Sequence, residues 1–459
     1  MKRNFIFITI LSAALFTTSA CRKYVELDLI GQRELKYTED YKALLNYRVD
    51  MEPNLYFPVL ASDDVYSADD SYLNRFMAID ANAYTWAGDI VGDNQEDPDW
   101  QKLYKQIYIT NQIIAEAPDS RGGSELEKKQ IVAQAKVHRA TAYYFLVNTY
   151  AKQYNPASAG TDLGVPVLTK PDLFAKLDRM PVQGVYDQII SDLTTAMVDL
   201  PEMTQVNTLP SATAAKAMLA RTYLQMENYP LALQHANEVL AVQNKLTDLQ
   251  LFVNSPNTYP SLTRDTEEIF IKTTRNTYPT LALNPELLNL FEANDLRRTL
   301  FVVEGAAFGT WQSFNGFGYN KLRIISQNQA LTNGPTVPEM MLIKAEALVR
   351  NAATFAEGIA VINELRKFRF ETADYQPFVA ANQAEALKLV INERRKELMA
   401  KGLRWFDQKR LASEPGFVTT QTRTYKGVTY TLEPNSPRYV MPIATKYIVL
   451  NPEIIQNPR

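Results

Sequence analysis

Residues 211–242 read SATAAKAMLARTYLQMENYPLALQHANEVLAV, and they carry the strongest architectural signal in the chain. Leu219-Ala220, Tyr223, Tyr229, Ala232 and Ala236 fall at the spacing of a tetratricopeptide repeat. In that pattern small residues sit where two antiparallel helices touch, and aromatic rings fill the grooves beside them. Asn228-Tyr229-Pro230 supplies the turn.

Working outward, residues 337–369 form a second, weaker repeat candidate, with Leu342, Ala345, Leu348 and Ile359 in rough register. Helix periodicity recurs over residues 131–152, with Ile131, Ala135, His138, Ala142, Phe145, Leu146 and Thr149 on one face. It recurs over 185–200, flanked by Pro181 and Pro201, and over 100–114. A third helix pair fits within residues 131–200, with an insertion between its helices. The fold class expected is mainly α: a tetratricopeptide-like helix-pair (α-α superhelix) scaffold with long loops and small β elements. Loop excursions are expected at about 53–99, 153–180 and 250–335, where Pro, Gly, Asn and Asp gather. Short strands fit residues 268–271 and 424–431.

The composition removes several functions. The 459 residues carry 48 Lys plus Arg against 51 Asp plus Glu, a net charge of −3, which speaks against nucleic-acid binding. Cys21 is the sole cysteine, and His138 and His235 are the only histidines. That excludes an internal disulfide framework and leaves too few ligands for a Cys/His zinc site. It also starves a cysteine or histidine-based catalytic triad. No metal and no cofactor is expected.

Residues 1–20 read as a secretory signal of lipoprotein type, cleaved before Cys21. Lys2 and Arg3 precede an apolar run from Phe5 to Phe16, and small residues lead to the cysteine. Cys21 is then the lipidation site, carrying a palmitate-like acyl chain. The alternative is a plain secreted protein with an incidental cysteine. The run is too short to span a bilayer comfortably. Residues 21–459 would form a single helical domain.

The C-terminal third contains Asn392-Glu393-Arg394-Arg395-Lys396-Glu397-Leu398 and then Gly402-Leu403-Arg404-Trp405-Phe406-Asp407-Gln408-Lys409-Arg410. This block strongly resembles the SusD/RagB family of outer-membrane nutrient-binding lipoproteins. Ala61-Ser62-Asp63-Asp64, Arg139-Ala140-x2-Tyr143-Tyr144, Gly164-Val165-Pro166-Val167 and Met441-Pro442-Ile443 extend the resemblance along almost the whole chain. The resemblance implies four tetratricopeptide-like helix pairs, a lipid anchor at Cys21 and an outer-membrane location, facing the cell exterior. It implies partnership with a SusC-like TonB-dependent transporter. It implies capture of an oligosaccharide or polysaccharide, with peptide capture as the alternative branch and no enzymatic activity. A helix-repeat interaction scaffold is a further alternative.

Glu393 and Glu397 share a helix face, as a glycosidase pair would need. Arg394, Arg395, Lys396 and Arg404 crowd them, and nearby cations depress carboxylate pKa values. Arg394, Glu397, Arg404 and Asp407 are therefore expected to form a structural ion network. Asp63, Asp64, Asp69 and Asp70 could contact calcium or substrate, or cap helices and bind the scaffold. A sugar site wants aromatic rings on loops beside amides and hydroxyls. Trp311, Trp86, Tyr84, Tyr72, Tyr319 and Asn315 are the ligand-binding candidates on that reasoning. Each ring could equally anchor its own loop.

Overall fold

The computed structural model describes residues 35–52, 55–274, 281–309, 312–319 and 331–459. Among these are ten helices of nine residues or more. They are α1 (Thr38–Asn46), α2 (Pro98–Glu116), α3 (Glu125–Tyr150), α4 (Val182–Ala196) and α5 (Ala212–Gln225). The rest are α6 (Tyr229–Val242), α7 (Val337–Val349), α8 (Phe355–Arg366), α9 (Gln383–Glu397) and α10 (Leu403–Leu411).

The starts of these helices are written in side chains that take up otherwise orphaned backbone N–H groups. Asp97 accepts from Asp99 and Trp100, Ser124 from Glu127, and Ser211 from Ala214. Asn228 accepts from Leu231 and opens α6, just after Glu227 has turned the chain at φ 58°. Ala217, Ala220, Ala232 and Ala236 are fully buried where α5 meets α6, as the repeat spacing requires. Gly358 plays the same part between α7 and α8. A Cβ there would sit 2.8 Å from the Ala345 carbonyl oxygen. Tyr223 stacks on His235 at 5.6 Å, which accounts for that histidine.

Packing then runs from helix to helix as a continuous array. α2 lies on α3, α3 on α4, α4 on α5, α5 on α6 and α6 on α7, and α7 and α8 both lie on α9. Only the first half of α3 is amphipathic. From Val137 to Tyr150 every residue is buried, so the helix is central and covered all round. His138 belongs to this stretch. It sits edge-on to Phe270, and the Lys272 ammonium lies 2.9 Å from its Nδ1.

Among the described residues three small antiparallel hairpins decorate the array: β1 (Leu163–Pro166) with β2 (Arg179–Pro181), β3 (Val302–Glu304) with β4 (Phe317–Tyr319), and β5 (Gln421–Tyr425) with β6 (Val428–Leu432). The last turns through Lys426 and Gly427, both at positive φ, the backbone a two-residue hairpin favours. The strand expected at residues 268–271 is reduced to one bridge, Glu268 to Thr336. The excursion at 53–99 also differs from expectation. It holds short helices at Phe57–Ala61, Asp70–Leu73 and Ala78–Tyr84, and much of it is core. Asp63 and Asp64 meet arginines and Asp69, Asp80 and Asp97 cap helices, so a polar composition here accompanies burial.

Candidate functional site

The charge block of residues 392–410 lies inside the protein. Arg394 donates to Asp407 at 2.9 Å, and Arg410 donates to the other oxygen of the same carboxylate at 2.9 Å. Glu397 accepts from Arg297 at 2.8 Å and from Arg369 at 2.8 Å. Glu393 pairs with Arg297 at 2.7 Å and with Lys396 at 2.8 Å. Arg404 clasps Asp63 with two bonds of 2.8 and 2.9 Å, and Arg395 reaches Asp64 at 3.1 Å. The early Asp63-Asp64 pair thus bolts its segment to α9 and α10.

Burial alone would raise these carboxyls, and at Asp64 it does; at Asp63, Glu346, Glu393 and Glu397 the adjacent guanidinium and ammonium groups outweigh it. Asp63 is held at about 2, as are Glu393 and Glu346. Glu397 is likewise held well below the ordinary range by Arg369 and Arg297. A general acid needs the opposite shift. The sign for stability follows. The unfolded chain takes up protons first as pH falls, so the contribution of these groups is whole above about pH 4.5 and is lost towards about pH 2. Circular dichroism across an acid titration is expected to keep the native signal at about pH 5 and lose it between about 4 and 2. Loss already complete at about pH 5 would contradict this.

A cleft of about 360 Å³ opens beside Tyr66, a few residues along the chain from Asp63. Its walls are residues 66–68, the segment 282–289, Arg298 and the strand approach 314–317. Backbone bonds fix them to one another. Tyr66 N–H donates to Ala282 O, Leu283 N–H to Phe317 O and Asn284 N–H to Asp64 O. Asp69 accepts the Asn315 N–H at 2.7 Å, and Arg75 donates to Ser313 O at 2.6 Å. Gly318 lets the rings of Phe308 and Phe314 close behind β4, where a Cβ would come within 2.6 Å of Phe308. Against this rigid frame stand groups left unused. The Tyr66 hydroxyl, the amides of Asn289 and Asn315 and the Arg298 guanidinium make no hydrogen bond to described residues.

The sequence candidates distribute unevenly around this cleft. Asn315 lines it and is exposed. Trp311 lies outside the described residues, as does Cys21. Tyr72, Tyr84 and Trp86 are corrections. Each is 1 % exposed or less, so none offers a ring face to a ligand. Tyr72 instead supports the cleft from behind: its ring packs on Phe314 at 4.9 Å and its hydroxyl accepts the Ala282 N–H. Tyr84 exchanges hydrogen bonds with the Ser67 backbone, and Trp86 donates to Ala61 O at 2.8 Å. Tyr319 is also buried, in β4. Sequence reasoning passed over Tyr66, Asn289, Arg298 and Phe317. The one available hint was the place of Tyr66 beside the Asp63-Asp64 element and of Phe317 inside the aromatic, amide-rich stretch at 311–320; Asn289 and Arg298 carried none.

It also passed over Arg423 in β5. This side chain is 2 % exposed, lies between the rings of Tyr84 and Trp86 and donates to the carbonyls of Leu60, Ser62, Val65 and Tyr84. Burial lowers its pKa to about 10.

A larger groove of about 800 Å³ lies beyond the far end of α10. Most of its charges are already matched: Lys152 with Asp162, Arg410 with Glu346, and Glu414 with Arg350. Lys409 there donates to the carbonyls of Asn148 and Ala151, closing the end of α3. Among the described residues no cluster of three or more His, Cys, Asp or Glu is placed to hold a metal ion. Asp63 and Asp64 spend their oxygens on arginines and on the Ala400 N–H. Among the same residues no helix is long and apolar enough to cross a membrane.

Two family models match the chain. One, described as starch-binding associating with outer membrane, matches residues 42–224, and the other, the SusD family model, matches residues 309–459. SusD-like protein P2 of Formosa agariphila is 24 % identical over 371 residues, covering 68 % of this chain and 71 % of its own. SusD-like protein P38 of the same organism is 22 % identical over 432 residues, 78 % of each chain. Among solved structures, a SusD superfamily protein from Bacteroides thetaiotaomicron has a TM-score of 0.73 at 21 % identity, with 92 % of this chain and 100 % of that one covered. A laminarin-binding SusD-like protein has a TM-score of 0.64 at 19 % identity, covering 92 % and 99 %. These structures share the fold of this chain.

Proposed function

We propose, from the premise that this chain belongs to the SusD/RagB family, that it is the glycan-capturing subunit of an outer-membrane uptake system. It holds oligosaccharide in the cleft beside Tyr66 and hands it to a SusC-like TonB-dependent transporter. An acyl chain on Cys21 keeps it at the membrane, with the body on the exterior side. One observation carries the reading. Half-buried Tyr66, exposed Asn289 and exposed Asn315 converge unused on a cleft whose backbone is pinned on every side. Rings take the C–H faces of sugars, amides and hydroxyls take their hydroxyls, and a pinned frame lowers the ordering cost of binding.

Capture without bond cleavage fits the carboxylates. Glu393 is held ionised by its cations at about 2 and is buried, so it has no proton to give a leaving group. The test is a calorimetric panel of oligosaccharides and peptides against the full chain, with product analysis after prolonged incubation. Saturable binding of one glycan class with the glycan recovered intact is expected. Binding of peptides alone would move the protein to peptide capture, and cleavage of the glycan would make it an enzyme.

A further inference from the structure

Arg298 separates from the other cationic side chains of this region by what it lacks. Its neighbour Arg297 meets three carboxylates, Asp295, Glu393 and Glu397. Arg423, also without a carboxylate, is saturated by four carbonyls. Arg298 has neither. Its guanidinium lies 4.2 Å from the centre of the Phe317 ring, half-buried in the wall of the cleft, with no ion pair or hydrogen bond to described residues. Burial lowers its pKa, the mark of a cation losing water without gaining a counter-charge.

The acids nearby do not answer it. None lines the cleft among the described residues. Asp69 is occupied by the Asn315 and Ser71 N–H groups. Glu304 stands opposite Phe317 in the β3–β4 pair, exposed, and Glu286 follows Pro285, also exposed, and neither pairs with Arg298. The Phe317 ring holds the guanidinium in place by cation–π contact and leaves its N–H edge free. An oriented, partly desolvated fork of donors in a site without acids suits a planar or tetrahedral oxyanion.

We propose that the captured glycan is acidic, and that its carboxylate or sulfate ester seats on Arg298 while a neighbouring sugar ring meets Tyr66, Asn289 and Asn315. This rests on the capture reading above and names its substrate class.

The test uses the full chain in mild detergent, titrated with oligogalacturonate, with sulfated carrageenan oligosaccharide and with neutral laminarin oligosaccharide. An acidic glycan is expected to bind about tenfold or more tightly than the neutral one. That preference is expected to shrink as salt rises. Arg298→Gln should erase the preference, and Arg298→Lys should keep part of it, with the melting temperature of each variant as the control for folding. The salt series on the unaltered protein gives a second reading that needs no variant. Preference for the uronate or for the sulfate ester identifies which anion is taken, and either supports the proposal. Equal affinity for neutral and acidic glycans, or an acidic preference untouched by Arg298→Gln, overturns it while leaving glycan capture intact. Absence of binding by all three, with peptides bound instead, overturns the capture reading and this inference together.

Discussion

Arg423→Met is expected to lower folding stability by about 4 kcal/mol or more, the largest single effect foreseen in the molecule. Methionine fills much of the space between Tyr84 and Trp86, so the loss isolates the polar part of the interaction. Four carbonyls in the 60–65 and 84 region would lose a charged donor in a place water does not reach. Each buried acceptor left bare costs about 1–3 kcal/mol, and Ser62 O keeps a second donor in the Val65 N–H, which sets the scale. Arg423→Lys should recover only part of it, because three donors on a point charge cannot span the fan of carbonyls. Urea denaturation of the three proteins measures this. A methionine variant within about 1 kcal/mol of the parent would mean the hairpin is held by its packing alone.

The second large effect belongs to Glu397→Ala. Arg297 and Arg369 converge on this carboxylate, and both are buried. Removing one partner of a buried network leaves the other charges uncompensated, a loss of about 3–5 kcal/mol. Arg297 retains Asp295 and Glu393, and Arg369 retains Glu267, which argues for the lower half of that range. The variant should unfold at lower urea while its glycan affinity, measured where it remains folded, stays close to the parent. A matching loss of affinity in the folded variant would draw Glu397 into the binding site instead.

The helical scaffold was legible because its signals are local. Alanines at the α5–α6 contact, Asn228-Tyr229-Pro230 at the turn and the prolines flanking residues 185–200 all act within a few residues of themselves. The charge block was legible as an ion network for the same reason, since Arg394 and Asp407 lie on adjoining helices. Its distant partners were not. Nothing in the order of residues says that Glu397 will meet Arg297, or that Asp63 will meet Arg404 across most of the chain.

The binding candidates failed where composition stood in for geometry. Tyr72, Tyr84 and Trp86 sit among Asp, Asn and Ser, which reads as an exposed loop. In the fold those polar residues cap short helices and meet arginines, and the rings point inward. Tyr66 and Arg298 are far apart in sequence and become neighbours of one cleft only through the 282–284 segment that runs between them. Asn315 does lie exposed at the cleft, in a stretch rich in Gly, amides and aromatics, which is a true loop signature.

The most direct test of the account is calorimetric titration of the bound oligosaccharide against the parent and against Tyr66→Ala with Asn289→Ala. Both side chains line the cleft and make no hydrogen bond to described residues, so folding should be unchanged. The account predicts that the double variant keeps its melting temperature and loses at least about tenfold in affinity. Parent-like affinity in that variant would place the ligand elsewhere and contradict the assignment of the cleft.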